Sequence, residues 1–125
     1  MRVQRLFLVE GVSIPEIVTR LRDFAWSPAG SPPSDDEASL RCRDIARASA
    51  TLTCTRVEGS LHALVLDSAT RDAVALGNQL GRKLPLVDPA RAQLLAQPDE
   101  PLGRAMRERP ALSELVASML VAAEP

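Results

Sequence analysis

The N-terminal part of the chain combines a short apolar run with a longer periodic pattern. Residues 2–9 are largely apolar and partly β-branched, which predicts a strand covered on both faces. A helix is predicted after Ser13, because Ser13 and Glu16 form a capping box and apolar residues then recur at helical spacing. This helix is expected to end near Trp26, since a Ser-Pro pair follows and disfavours its continuation.

The periodic pattern stops at a polar segment rich in proline, glycine and serine. Residues 27–36 read SPAGSPPSDD, a composition that predicts a flexible loop. Residues 37–48 fit either an exposed strand or a short helix, and their partial alternation slightly favours the strand.

Strict alternation returns in the middle of the chain and predicts a β-hairpin. Residues 50–57 alternate threonine with other side chains, and 61–66 form a more apolar arm. A turn centred on Gly59 places Cys54 opposite Leu64 and Arg56 opposite His62. Cys54 and His62 are then diagonal neighbours on one face of the hairpin.

The C-terminal third is predicted to be helical and divided by prolines. Asp67 and Ser68 are expected to cap a helix over 69–82. Further helices are expected at Asp88-Pro89, at Pro101 and at Pro110, because proline suits the first helical position. The segment from Leu84 to Val87 fits a short strand or an extended connection. The last helix carries an apolar stripe of Leu112, Leu115, Val116, Met119 and Leu120.

This order of elements predicts an α+β fold in a single domain spanning 1–125. We expect a small, largely antiparallel sheet with the order β-α-β-β-β on the N-terminal side. Helices are expected to pack on one face of this sheet, with a helical C-terminal third. The alternative is a flavodoxin-like α/β fold, which requires a regular strand–helix alternation that the 40–66 region does not show.

The composition is that of an ordinary globular protein. The 125 residues are 46% hydrophobic and 25% charged, with a formal net charge of -1, which excludes a disordered chain and a basic nucleic-acid arm. Arginine, alanine, leucine and proline are abundant, a bias typical of GC-rich bacterial genomes. The apolar run at the N-terminus is too short for a signal peptide, and no run reaches the length of a membrane span. We therefore expect a cytoplasmic bacterial protein that does not enter membranes.

Catalytic chemistry has one candidate set: Cys54, His62 and Asp67. These residues supply a nucleophile, a base and an orienting acid if they converge, and the alternative is a buried structural thiol beside an edge histidine. A single histidine and two separated cysteines do not provide the ligands of a zinc site. The glycines of 77–81 fit no phosphate-binding motif. We expect no cofactor and no metal.

Charged clusters provide alternative binding surfaces. The acidic run 35–37 can attract a hard cation, but it lacks the ligand spacing of a calcium loop. Arginines form groups at 41–47 and 104–109, interleaved with acids. They suggest a nucleotide or nucleic-acid binder as an alternative, although only 2% of the residues are aromatic, which argues against base stacking. The arginines in these groups are Arg41, Arg43, Arg47, Arg104, Arg107 and Arg109.

The scarcity of catalytic equipment favours a non-enzymatic function. Trp26 adjoins the loop, where an exposed ring would be an interface anchor, although a ring folded over the core edge is the commoner outcome. We expect a protein-protein interaction or regulatory module of a bacterial multi-component system: an adaptor, accessory or immunity-type domain. A protein partner or self-association is expected. The candidate interaction residues are Trp26, Arg104, Arg107, Leu115 and Met119.

Overall fold

The strands of the described chain form one antiparallel sheet. The computed structural model describes residues 2–23, 26–42 and 50–123. Its strands are β1 (Arg2–Glu10), β2 (Trp26–Pro28), β3 (Glu37–Cys42), β4 (Thr51–Glu58) and β5 (Leu61–Ala69). They lie in the order β1-β5-β4-β3-β2. The helices are α1 (Ile14–Arg22), α2 (Thr70–Lys83), α3 (Pro89–Leu95), α4 (Pro101–Glu108) and α5 (Pro110–Ala123).

Helix α1 begins where the sequence indicates and ends earlier than expected. The Ser13 hydroxyl accepts a hydrogen bond from the Glu16 N–H at 3.3 Å, which confirms the predicted N-cap. The helix ends at Arg22, and Trp26 pairs with Cys42 as the first residue of β2. The prediction of a loop throughout 27–36 is therefore wrong for its first residues, because they gain strand pairing with β3.

The central hairpin has the predicted register. Cys54 pairs with Leu64 and Arg56 pairs with His62. Gly59 lies in the turn with a left-handed φ of 57°, a conformation that glycine adopts without strain. The prediction of a strand within 37–48 is confirmed as far as Cys42, and 43–49 lie outside the described residues.

Strand β5 is longer than its apolar run indicated. Asp67 and Ser68 were expected to cap a helix, yet Asp67 pairs with Gln4 of β1 and with Thr51 of β4. Pairing on both sides extends the strand through this pair, because ladder hydrogen bonds outweigh a local capping preference. The predicted N-cap at Asp88 is confirmed, since its carboxylate accepts from the Arg91 N–H at 2.8 Å.

The helices cover both faces of the sheet rather than one. The α+β class and the antiparallel sheet are confirmed, but separate cores lie on the two faces. Strand β1 shows the reason, because Leu6 and Leu8 face one core while Phe7 and Val9 face the other. The first core joins the sheet to α1 and α2, and the second core joins it to α3, α4 and α5.

The second face is only partly covered by helices. Ser39, Arg41, Thr51 and Thr53 alternate with buried residues of β3 and β4 and are exposed. The segment 29–32 lies beside them and forms a groove of about 450 Å³. No helix in the described part of the chain has the length and hydropathy needed to cross a membrane.

Candidate functional site

A polar cleft opens on the first-core side of the sheet, at the end where α1 and β5 begin. We call it the hairpin cleft. It has a volume of about 550 Å³, within the range of small-ligand sites. It forms where the β1–α1 turn, the segment before β3 and the β4–β5 turn meet. The lining residues are Gly11, Val12, Ser13, Asp35, Asp36, Arg56, Gly59, Ser60 and His62.

Backbone hydrogen bonds hold the walls of the hairpin cleft together. The Gly11 N–H donates to the Ser60 carbonyl at 3.2 Å, which joins the β1–α1 turn to the hairpin turn. The Arg56 N–H donates to the Asp36 carbonyl at 2.8 Å, which joins the segment before β3 to β4. The Ser34 hydroxyl accepts from the Asp36 N–H at 3.2 Å and from the Glu37 N–H at 3.1 Å. The acidic segment is thus fixed by local bonds as well as by pairing.

The charges that line the hairpin cleft do not balance. The Arg56 Nε lies 2.8 Å from the Asp36 Oδ1, so this guanidinium already has a carboxylate partner. Asp35 is exposed, and within the described residues no cation lies at ion-pair distance from it. The cleft therefore carries an unpaired negative charge.

His62 is the buried polar group in the wall of the cleft. It pairs with Val9 of β1 and Arg56 of β4, and its side chain is 2% exposed. Its Nδ1 atom is buried and has no hydrogen-bond partner among the described residues. Burial and the nearby Arg56 charge lower the pKa of the His62 imidazole, although a hydrogen bond to the Ser60 backbone partly opposes them. The ring is therefore neutral at pH 7.

The structure does not assemble the catalytic set suggested by the sequence. Cys54 and His62 do share one face of the hairpin as diagonal neighbours. Cys54 is 0% exposed, however, and burial raises the pKa of its thiol to about 12, so it is not a nucleophile at neutral pH. Asp67 lies at an odd position of β5, on the opposite face from His62. The register predicted from the sequence is confirmed, and so is the alternative interpretation of Cys54 as a buried structural thiol.

The candidate interaction residues whose side chains are described do not form one exposed surface. Trp26 is 1% exposed in the first core, so the interpretation of its ring as an exposed anchor is corrected. Arg104 Nη2 donates to both oxygens of the Glu58 carboxylate at 2.9 and 2.8 Å, and Nη1 donates to the Asp99 carbonyl. These bonds fasten α4 to the sheet.

The apolar stripe of α5 packs into the second core at the positions whose side chains are described. Leu115 packs against the second core and is only partly exposed. Arg107 is exposed on α4 and belongs to neither core. Met119 falls in the last part of α5, outside the residues whose side chains the structure describes.

The described members of the other charged clusters do not share one site. Arg41 lies on the exposed part of the second face, while Arg43 and Arg47 lie outside the described residues. The acidic run separates, because Asp35 and Asp36 line the hairpin cleft and Glu37 begins β3. Among the described residues, no histidine, cysteine and carboxylate side chains form a group that could hold a metal ion.

Sequence reasoning named several residues of the hairpin cleft without bringing them together. The hairpin register predicted from the Gly59 turn placed Arg56 opposite His62, and the acidic run included Asp35 and Asp36. Their convergence depends on the pairing of Glu37 with Thr55, a contact between distant segments that local patterns do not specify. Comparison with protein-family models, with curated proteins and with solved structures finds no match to this chain.

Proposed function

We propose that this protein is a non-enzymatic recognition module that holds a side chain of a partner polypeptide in the hairpin cleft. One observation carries the proposal: the cleft is lined by the buried residue His62, whose Nδ1 atom has no hydrogen-bond partner among the described residues. Buried polar atoms in proteins nearly always have a partner, because leaving one unpaired costs about 1–3 kcal/mol. A partner side chain that enters the cleft and uncovers this atom would supply the missing bond.

The geometry favours binding over catalysis. The thiol nearest to His62 on the hairpin is Cys54, which is sealed in the core. The Ser13 hydroxyl, which also lines the cleft, is engaged as the N-cap acceptor of α1. An activated nucleophile needs a base within hydrogen-bond reach, and within the described part of the cleft neither group meets that condition.

The proposal keeps the class of function expected from the sequence and moves the contact site. An adaptor, accessory or immunity-type domain of a bacterial multi-component system would act through such a cleft, in the cytoplasm and without a cofactor. Trp26, Arg104 and Leu115 stabilise the fold in this account, because they are buried, ion-paired or packed on a core.

Position-specific photo-cross-linking in the cells that naturally make the protein tests this function. A photoreactive amino acid is placed at Ser60 on the rim of the hairpin cleft, or at the control position Leu94, which is 53% exposed on α3. We expect a defined protein adduct from Ser60 that is absent from Leu94. The adduct should disappear when His62→Phe is added and the variant remains folded.

Two outcomes of this experiment would contradict the proposal. Identical adducts from Ser60 and Leu94 would show that contact is not localised to the cleft. Failure of Ser60 to give any adduct in cells that make the protein would contradict the proposed recognition site.

A further inference from the structure

We infer that the free edge of β1 pairs with the same edge of a second copy of this chain, so that the sheet continues through a symmetric dimer. This inference goes beyond the proposed function, because the free edge lies at the other end of β1 from the hairpin cleft. Its basis is a row of backbone hydrogen-bonding groups on β1 that no described residue satisfies, whereas the opposite edge of the sheet is protected.

A contact with the segment after α2 shows which backbone groups of β1 face outward. The Val87 N–H donates to the Leu8 carbonyl at 2.8 Å, so the polar backbone groups of Leu8 point away from β5. Since these groups alternate sides along a strand, those of Arg2, Gln4 and Leu6 point the same way. The bridge between β1 and the segment after α2 is confined to the C-terminal end of the strand. The outward groups of Gln4 and Leu6 therefore have no partner among the described residues.

The two edges of the sheet differ in how well they are protected. Strand β2 has three residues and ends at Pro28, features that blunt an edge against further pairing. Strand β1 has nine residues, contains no proline and pairs with β5 without a bulge. Gln4 and Arg5 point to opposite faces of the sheet, and both are exposed, so no described helix side chain covers them. A further strand has room to pair with this part of β1.

The sequence of the free edge fits a second copy that runs antiparallel to the first. A two-fold axis at Gln4 places this residue opposite Gln4 of the second copy and places Arg2 opposite Leu6. Each of these pairs joins two outward-facing residues, which exchange both of their backbone hydrogen bonds. The pairing uses the unpaired groups from Arg2 to Leu6 and does not need those of Leu8, whose carbonyl is already bonded.

Charge and occupancy favour this register over its neighbours. An axis at Arg5 would place the two Arg5 side chains directly opposite, and such a like-charge pair destabilises a sheet. An axis at Leu6 would require the Leu8 carbonyl, which accepts from the segment after α2. About Gln4, the Arg5 side chain lies opposite Val3, along which its aliphatic stem can pack, and the two Gln4 amides can hydrogen-bond to each other.

Disulfide trapping in the full chain tests both the dimer and its register. With the axis at Gln4, the two Gln4 Cα atoms form a hydrogen-bonded pair at about 5.5 Å, a separation that a disulfide spans. We therefore expect Gln4→Cys protein to form a covalent dimer under mild oxidation. Arg5→Cys is the matched control, because Arg5 is also exposed but its two copies lie offset across the axis, beyond the reach of a disulfide. Cys42 and Cys54 are buried in each copy and do not compete.

Sedimentation velocity measures the same association without a cross-link. Wild type should show a concentration-dependent dimer, and Gln4→Pro should raise its dissociation constant at least about tenfold, because proline removes an outward N–H at the centre of the pairing. This N–H does not face β5, so circular dichroism and urea unfolding should still report a folded chain. Gln4→Ala retains the N–H and should dimerise with a dissociation constant within about threefold of wild type.

A wild-type chain that stays monomeric up to millimolar concentration would exclude the dimer. A folded Gln4→Pro protein that dimerises as tightly as wild type would show that the β1 edge is not the interface. Faster cross-linking of Arg5→Cys than of Gln4→Cys would contradict the assigned register. These outcomes are independent of the photo-cross-link at Ser60, so a failure of the dimer is distinguishable from a failure of the proposed function.

Discussion

Two regions on the same face of the sheet differ in whether helices cover their side chains. In the sealed region, around Leu52, Cys54 and Leu64, helices cover every side chain and the core is continuous. In the open region, around Arg56 and His62, the same strands reach the hairpin cleft. The two regions are neighbours on the hairpin, because the pair Cys54 and Leu64 lies next to the pair Arg56 and His62 on this face.

Coverage by helix α1 decides what a residue of this face can do. Since α1 begins at Ile14, its apolar side chains cover the middle of the face, and its N-terminal turn forms part of the cleft wall. A thiol in the sealed region is inert, while an imidazole in the open region borders a cavity.

The largest expected effect is loss of packing in the sealed region. Leu64→Ala removes a side chain that is fully buried between the sheet and the helices. It should lower the free energy of unfolding by about 2–5 kcal/mol, because a cavity remains where the side chain was. Urea unfolding measures the change, and Leu94→Ala on the exposed surface of α3 should stay within about 0.5 kcal/mol. Equal losses from both variants would contradict the described core.

The reactivity of Cys54 tests how tightly the same region is closed. Burial raises the pKa of its thiol from 9.0 to about 12, which lowers its thiolate population at neutral pH about a thousandfold. We expect slow alkylation of Cys54 by iodoacetamide in the folded protein and rapid alkylation after unfolding in urea. Mass spectrometry of Cys42→Ser protein isolates the Cys54 signal. Fast alkylation under native conditions would reopen the catalytic interpretation.

A smaller effect is expected where α1 begins at the open region. Ser13→Ala removes the hydroxyl that caps the Glu16 N–H and should cost about 1 kcal/mol in urea unfolding. Ser13→Asp is the matched control, because a carboxylate also caps a helix and should recover most of the loss. Equal destabilisation by both variants would show that the cap is not what Ser13 contributes.

The smallest effect is the pH dependence contributed by His62. Because the pKa of the folded imidazole is lowered from 6.5, the unfolded chain binds the proton more readily. The stability that His62 contributes is therefore present above pH 6.5 and is lost as pH falls through the folded pKa. The charged groups that line the cleft with it are Asp35, Asp36 and Arg56.

This dependence is measured as the difference between wild type and His62→Gln in unfolding experiments over a pH series. Carboxylates elsewhere contribute to both proteins and largely cancel in the difference. We expect wild type to lose stability relative to His62→Gln as the solution becomes acidic. A difference that is constant with pH, or that has the opposite sign, would contradict the burial of a neutral imidazole.

Much of the fold could be predicted from local chemistry. The cap at Ser13, the cap at Asp88 and the register around Gly59 are all confirmed, because each depends on residues close together in sequence. The strand at Trp26 and the extension of β5 through Asp67 could not be predicted in this way. Both depend on pairing with distant strands, which overrides local turn and capping preferences.

The candidate site was less accessible to sequence reasoning than the fold. The alternation of side chains about the Gly59 turn predicted that Arg56 lies opposite His62 and that Cys54 shares their face, and the register confirms both. It did not show that Cys54 is sealed, because that depends on where α1 begins relative to the sheet. The approach of Asp35 depends on the pairing of β3 with β4, which joins segments separated by the residues from 43 to 50.

The central claim is that the cleft wall presents a neutral His62 with an unprotonated Nδ1. The chain contains a single histidine, so a long-range ¹H–¹⁵N correlation spectrum of the imidazole needs no assignment. At pH 7 we predict the neutral tautomer protonated at Nε2, because the pKa of the ring is lowered and Nδ1 has no hydrogen-bond partner among the described residues. An imidazolium spectrum, or a neutral ring protonated at Nδ1, would contradict the account.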